Sequence, residues 1–500
     1  MLLSERDVEL FAQVSGDVNP LHRSPEHARA TPFGGVVAHG ILALLATLEE
    51  VRPEPGGAAG LEVEFRGPVY PGVRYRASAG DGPVPSCELR DGNRVCLSAR
   101  WRPGRAAEPA LSEVPPVGAA AVRTLDDLTP GTRVSGEYGP RGLAALRRRF
   151  PRAAAALGPG ALVALLWSSY SAGMLLPGQR CLLAGISLRC HPAGGTVPAP
   201  LAFTAEVLAL DRRFGLLTTG GTLTAAGGLL AEVEIEAVVR TPAPLPSAAA
   251  IAAHLPPSTR LAGRSAVVTG GSRGLGAAVA LALAGQGCAV RVGHRGAFPE
   301  RLLAEAADLP GTLRPAQGDA ADPGWSERLA ADLGELDFLV CSAAPPIRPL
   351  EPVPEHLGRF GGFLDTSVRL VTAPLAGLLA PLDRRGGRCL VVSSSALHDP
   401  PRDWPHYVTA KAALEGLVTW AARHHAGVGF VVARPGMLRT EQTNTPGAAE
   451  GAAAVEPVAA ALVRLLLDAA VEPGVPLVVP GPVAGVVPPA GQPSPSDQPG

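Results

Sequence analysis

"SAVVTGGSRGLGAAVA", residues 265–280, sets a short apolar run against a glycine-rich turn and then a helical pattern. Strand, glycine turn and helix, in that order, let backbone approach a pyrophosphate while the positive end of the helix faces its charge. Thr269 closes the strand, Gly270, Gly274 and Gly276 free the turn, and Ser272, Arg273 and Leu275 complete it. The bland alternative is a tight turn with no ligand. Downstream, "CAVRVGH", "DFLVCSA", "RCLVVSSS" and "GFVVARPG" read as buried parallel strands, and 274–286 and 407–425 read as helices. Strands alternating with helices predict an α/β doubly wound sheet over 261–482.

The second strand of this region ends in "RVGHRG". A carboxylate there would bind the ribose hydroxyls of a dinucleotide and repel a 2′-phosphate. Instead the positions hold His294 and Arg295, with Arg273 in the turn. Positive charge without an acid favours NADP(H) over NAD(H). Arg295 taken alone reads equally well as a solvated surface arginine.

"DWPHYVTAKAALEG", residues 403–416, holds the one lysine of a chain that otherwise uses arginine. Tyr407 lies four residues before Lys411 and shares its helix face. Ser394 ends a buried strand ahead of them. The glycine turn, Ser394, Y-x-x-x-K and "RPGMLRT" together resemble the short-chain dehydrogenase/reductase family, over about 261–482. That resemblance implies a Rossmann domain that reduces a carbonyl with NADPH. Tyr407 would be the general acid, Ser394 would polarise the substrate carbonyl, and Lys411 would bind the nicotinamide ribose. A positive charge about 4 Å from a phenol lowers its pKa by about three units, which Lys411 is expected to supply. Pro435 and Gly436 join the cofactor set, and Asp319 matches the position that contacts the adenine. Two departures stand out. "CSAA", Cys341 to Ala344, replaces N-N-A-G, and Phe363 occupies the position of a relay asparagine.

At the other end, "FAQVSGDVNPLHRSPEHARATPFGGVVAHGIL", residues 11–42, contains Asp17 and His22. S-G-D-x-N-P-x-H, then F-G, then V-A-H-G, with "FRGPVYPGVRY" at 65–75, resembles the MaoC-like (R)-specific enoyl-thioester hydratases. That family has the hot-dog fold, a curved antiparallel sheet around a buried helix. Removing water from a 3-hydroxyacyl thioester needs a proton taken from the α-carbon and one given to the hydroxyl, and Asp17 and His22 are the candidates. The resemblance assigns the thioester oxygen to the N–H of Gly40, and Asn19 and Pro20 to shaping the loop. His39 reads as structural. A serine that the family carries later in the helix has no match in "LLATLEE".

Residues 119–241 repeat the order of one apolar helix followed by strands, without D-x-N-P-x-H, and read as a degenerate second hot-dog. The expected domains are thus 1–103, 119–241, a Pro/Ala-rich linker at 242–260, the reductase-like domain at 261–482 and a disordered tail at 483–500. A net charge of −1 gives no field for nucleic acid or membrane, and the seven scattered cysteines suit a reducing, cytoplasmic setting with no metal centre. No signal peptide is expected from "MLLSERDVELF", nor any membrane-spanning run. The basic run 141–152, with Arg147, Arg148 and Arg149, reads as a solvated face or as a contact for a pantetheine phosphate or an acidic carrier protein.

The combined expectation is a bifunctional enzyme. NADPH-dependent reduction of a 3-oxoacyl thioester would precede dehydration to the trans-2-enoyl thioester, on acyl carrier protein or coenzyme A, in fatty-acid or polyketide-type synthesis. A homo-oligomer follows from the reductase resemblance. Two other readings stay open: a degradative hydratase/dehydrogenase using NAD, and a reductase-like domain serving only as a carrier-protein scaffold.

Overall fold

The computed structural model describes residues 1–104, 110–115, 118–191, 200–225, 228–242, 245–444 and 451–479. The tail expected at 483–500 lies outside them. The described residues form two compact units, one within Met1–Pro242 together with Asn444, the other running from residue 245 to Thr443 and from Gly451 to residue 479.

The first unit is one antiparallel sheet. Its strands are β1 (Ala58–Phe65), β2 (Arg76–Ala79), β3 (Ser86–Asp91), β4 (Arg94–Pro103), β5 (Arg133–Tyr138), β6 (Cys181–Cys190), β7 (Leu201–Asp211), β8 (Leu216–Ala225) and β9 (Gly228–Val239). They lie in the order β2-β3-β4-β1-β6-β9-β8-β7-β5. The two segments expected as separate hot-dogs therefore share a single sheet, joined where β1 pairs antiparallel with β6, Leu61 opposite Leu188. Each half wraps an apolar helix. Gly40–Val51 buries every residue from Ile41 to Leu48, and Pro151–Tyr170 buries nearly all of its length. A helix apolar on all sides has to be surrounded by protein. Trp167, fully buried, fits under β8 only because Gly221 has no side chain: a Cβ there would lie 2.1 Å from the indole.

The basic run at 141–152 is in part structural. Arg149 forks onto Asp7 at 2.6 and 3.2 Å, and Asp7 closes the capping box of helix Glu5–Ser15.

The second unit is a parallel sheet built from β10 (Ser265–Thr269), β11 (Ala289–His294), β12 (Thr312–Gln317), β13 (Phe338–Cys341), β14 (Arg388–Val392), β15 (Gly429–Ala433) and β16 (Leu477–Val479). Its order, β12-β11-β10-β13-β14-β15-β16, reverses direction at β10. Ligands of doubly wound sheets bind at that reversal. The five strands read from the sequence are all present; β12 and β16 complete the edges.

Two expectations need correction. The proposed linker is not all connector: Ala248–Ala252 is helical, and Ile251 packs, 4% exposed, in the core of the second unit. Two helices, Pro151–Leu175 and Pro354–Arg385, are long and apolar enough to cross a membrane. The first is the buried helix of the second hot-dog half, where the apolar length is used against the sheet.

Candidate functional sites

Asp17 sits in the loop between helix Glu5–Ser15 and the short helix Pro20–Arg23, and is 2% exposed. Three donors address its carboxylate or its surroundings. The Asn19 N–H donates to Oδ1 at 3.2 Å and Ser169 Oγ donates to Oδ2 at 2.7 Å. The Asn19 amide donates to the carbonyls of Gly173 and Gly178, at 3.1 and 3.3 Å. Asn19 thus shapes the loop as expected, but it does so by tying it to the second half of the sheet.

His22 donates from Nδ1 to the Val37 carbonyl at 2.8 Å, which leaves Nε2 as the lone-pair nitrogen of the neutral ring. His39 stacks on His22 with ring centroids 3.8 Å apart, and donates from Nε2 to the Asp17 carbonyl at 3.0 Å. It clamps the pair from behind. Ligand-capable atoms of Asp17, His22 and His39 lie within 4.8 Å of one another, a grouping that linear spacing concealed.

Burial dominates the proton affinities. It raises the Asp17 carboxyl, against the opposing effects of His22, Ser169 and Asn19. It lowers the His22 imidazole, with Arg240 acting in the same direction and Asp17 opposing. Burial thus works against the charged form of each group, toward a protonated carboxyl and a neutral imidazole. Both line a cavity of about 450 Å³, together with Gly40, Ser169 and Gly173. Gly40 is the first helical residue, so its N–H lacks an intrahelical acceptor. Phe65 covers it so closely that a Cβ at Gly40 would lie 2.8 Å from the ring.

Ser169 was not foreseen. The first helix lacks the expected serine, and the hydroxyl comes instead from the helix of the second half. "SSYSAG" at 168–173 was legible as a helix, but nothing local links it to Asp17.

In the second unit Ser394 lies two residues beyond β14, accepts from the Ala396 N–H at 3.1 Å and hydrogen-bonds Tyr407. Lys411 stands on the same helix, Pro405–His424, its Nζ 5.6 Å from the Tyr407 ring centroid. All three residues are brought together. The expected lowering of the Tyr407 phenol is not met. Burial raises it, the Ser394 bond opposes, and Lys411 donates to the Val392 carbonyl at 2.7 Å. Burial lowers the Lys411 ammonium itself to about 8, with Glu415 opposing. Glu415, one turn beyond Lys411, is a further unforeseen participant. It accepts from Ser393 at 2.5 Å and from the fork of Arg434 at 2.8 and 2.5 Å. Phe363 packs edge-on against His406, centroids 4.4 Å apart, so that position is aromatic packing.

The glycine turn has the form a pyrophosphate cradle needs. Gly270 has φ 64°, and a Cβ there would lie 2.7 Å from Ala343, in the "CSAA" segment. A Cβ at Gly276 would lie 2.3 Å from the Gly270 carbonyl oxygen. Gly274 opens the helix Gly274–Gly285, whose N–H groups point into the turn. Thr269 accepts the Ala343 N–H at 3.4 Å. Leu275 buries its side chain in the core, so only its backbone can serve a cofactor. Ser272 is half-buried in the turn. Pro435 receives the Ser395 N–H at 3.0 Å, and Gly436 has open space beside it.

The cationic set is less free than its sequence implied. Arg273 Nε lies 3.6 Å from Glu441, and Arg295 lies 3.5 Å from Asp319. Asp319 does not cap the helix Pro323–Leu333; Asp322 does. His294 donates from Nδ1 to Gly296, and its buried Nε2 has no partner. An orphaned nitrogen at the end of β11 is an observation that a bound dinucleotide would explain.

Comparison with known proteins agrees with this division. The short chain dehydrogenase family profile matches residues 264–450, and the MaoC like domain profile matches residues 1–81. An acetoacetyl-CoA reductase of Rhizobium meliloti is 33% identical over 36% of this chain and 75% of its own. The 3-hydroxyacyl-thioester dehydratase Z of Mycobacterium tuberculosis is 39% identical over 15% of this chain, which spans 56% of that enzyme. A short chain dehydrogenase of Burkholderia cenocepacia J2315, solved in complex with NADP, is 26% identical over 45% of this chain and 99% of its own, with a TM-score of 0.38. The molecule joins a hot-dog unit with a buried acid–imidazole pair to a Rossmann unit with a Ser-Tyr-Lys group. The chain belongs to the short-chain dehydrogenase/reductase family and carries a MaoC-like dehydratase domain at its N-terminal side.

Proposed function

We propose that the chain reduces a 3-oxoacyl thioester with NADPH and then dehydrates the 3-hydroxyacyl product to the trans-2-enoyl thioester. The observation that carries this is the presence, in one chain, of two buried sites with complementary chemistry. Ser394, Tyr407 and Lys411 suit making an alcohol from a ketone, and Asp17, His22 and Gly40 suit removing that alcohol beside a thioester.

In the reductase unit the cofactor supplies the hydride when bound. Ser394 polarises the carbonyl, Tyr407 gives the alkoxide its proton, and Lys411 would hold the ribose hydroxyls of the cofactor. Thr269, Gly270, Ser272, Gly274, Gly276, Pro435 and Gly436, with Asp319, are the residues that would hold the cofactor. In the dehydratase unit His22 Nε2 takes the α-proton, Asp17 protonates the departing hydroxyl, and the Gly40 N–H carries the enolate oxygen. Carrier protein or coenzyme A presents the acyl group, and the setting is biosynthesis of the fatty-acid or polyketide type. The cysteines are all free thiols, which supports a cytoplasmic setting.

One observation favours the degradative reading with NAD. Each cation reserved for a 2′-phosphate, Arg273 and Arg295, already has an acid beside it. The absence of a carboxylate at the end of β11 favours NADPH. Incubating a 3-oxoacyl thioester with NADPH or with NADH, and reading products by mass spectrometry, separates them. Hydroxyacyl and enoyl products with NADPH alone support the biosynthetic reading; equal or better turnover with NADH overturns it.

A further inference from the structure

Arg180 and Arg240 stand one residue beyond the ends of β6 and β9. The Arg240 N–H donates to the Arg180 carbonyl at 3.0 Å, which continues the antiparallel pairing of Cys181 with Val239 by one step. Two arginines thus lie directly opposite each other, an arrangement that destabilises a sheet when nothing neutralises it. Strand alternation puts both on the face of Leu182 and Val238, whose side chains line the Asp17 cavity.

Among the described residues no carboxylate pairs with them. Arg240 is only 5% exposed, and its guanidinium donates to the Gln179 carbonyl at 2.6 Å. The Nε atoms of Arg180 and Arg240 are buried with no hydrogen-bond partner, and so is Nε2 of the nearby His27. Burial lowers the His27 imidazole, and Arg240 and Arg180 add to that in the same direction. Asp127 feels Arg180, but it is exposed and held by Thr124. A buried guanidinium normally finds an anion, because an uncompensated buried charge is strongly destabilising. Among the described residues no anion fills that role, which leaves the pair suited to an anionic ligand.

We infer that Arg180 and Arg240 receive a carboxylate at the far end of the acyl group, so that the dehydratase site takes the monothioester of a 3-hydroxy dicarboxylic acid. This rests on the dehydratase reading of the Asp17 site. The fork of a guanidinium matches a carboxylate in two parallel hydrogen bonds. Position selects the acyl end over the carrier. Arg180 and Arg240 each stand two residues from a residue that lines the cavity of Asp17 and His22, Leu182 and Val238 respectively. A pantetheine phosphate hangs about 13 bonds from the sulfur, roughly 16 Å when extended at about 1.2 Å per bond.

The full-length protein tests this with two chain-matched probes, the coenzyme A thioesters of 3-hydroxyglutaric acid and of 3-hydroxypentanoic acid. The wild type is expected to favour the dicarboxylic probe in kcat/KM by about 10- to 100-fold. Arg240→Gln and, independently, the more exposed Arg180→Gln should each erase that preference. Arg180→Gln should also raise the Tm of the ligand-free protein by relieving the like-charge pair. Dehydration of 3-hydroxypentanoyl-CoA at least as fast as the dicarboxylic probe overturns this inference and leaves the dehydratase reading standing. A preference surviving in both variants does the same. If neither probe is dehydrated by the wild type, the dehydratase reading falls and this inference with it.

Discussion

The two halves of the N-terminal sheet are built alike and equipped differently. Read outward from their seam, one runs β1-β4-β3-β2 and the other β6-β9-β8-β7-β5, each around one apolar helix. The approach to the helix is where they part. In the first half a loop brings Asp17, Asn19 and His22 to the helix start at Gly40. In the second the approach is itself helical, from Leu143, and enters the central helix through Gly158, with φ 74°, and Pro159. That approach leaves no room for an acid–imidazole loop. What the second half gives is the wall: the Ser169 hydroxyl, the Gly173 carbonyl and the absence of a side chain at Gly173. A Cβ there would lie 2.4 Å from Asp17 Oδ1. The difference teaches that a half without the D-x-N-P-x-H motif can still hold the buried carboxylate of its neighbour, Asp17.

The contrast can be broken by degrees. Asp17→Asn removes the proton donor from the equipped half, and dehydration should fall by about a thousandfold or more. A similar loss of reduction, with dehydration of a supplied 3-hydroxyacyl thioester untouched, is expected of Lys411→Arg, because a planar guanidinium cannot replace a compact ammonium in a buried site. Gly173→Ala should cost dehydration about a hundredfold by displacing Asp17, although the change lies in the half without the motif. If Gly173→Ala dehydrates like wild type, the second half is only a scaffold. Ser169→Ala should cost about tenfold, the worth of one hydrogen bond to a charged group. Its sign in pH is fixed. The Ser169 bond lowers the Asp17 carboxyl, so losing it raises Asp17 further, and the alkaline limb of the dehydration profile should move to higher pH. The smallest effect belongs to the reductase unit. Lys411 titrates at about 8, so kcat/KM for reduction should decline as pH rises through that value, where the ammonium is lost. A flat profile from pH 7 to 9 would show that its charge is not needed.

Much of this was legible in the chain, and the limits have physical reasons. Asp17, His22, Tyr407 and Lys411 are close in sequence to the turns and helices that aim them, so short motifs carried their placement. Ser169 reaches Asp17 across 152 residues, and only the folded sheet brings the two together. Arg180 and Arg240 look like ordinary strand-end arginines until the register sets them face to face. The Ala/Pro-rich stretch at 242–260 looked like a linker because composition does not reveal that Ile251 finds a core. The charge argument for Tyr407 failed because it counted Lys411 as a full charge near a solvated phenol. Both groups are buried, and burial moves each away from its charged form.

The most direct test of the central claim, two chemistries at two separate sites in one chain, is the product that Asp17→Asn makes from a 3-oxoacyl thioester and NADPH. The expected result is NADPH consumption at the wild-type initial rate with the 3-hydroxyacyl thioester accumulating and no enoyl thioester in the mass spectrum. Enoyl thioester formed by this variant at the wild-type rate would contradict the account.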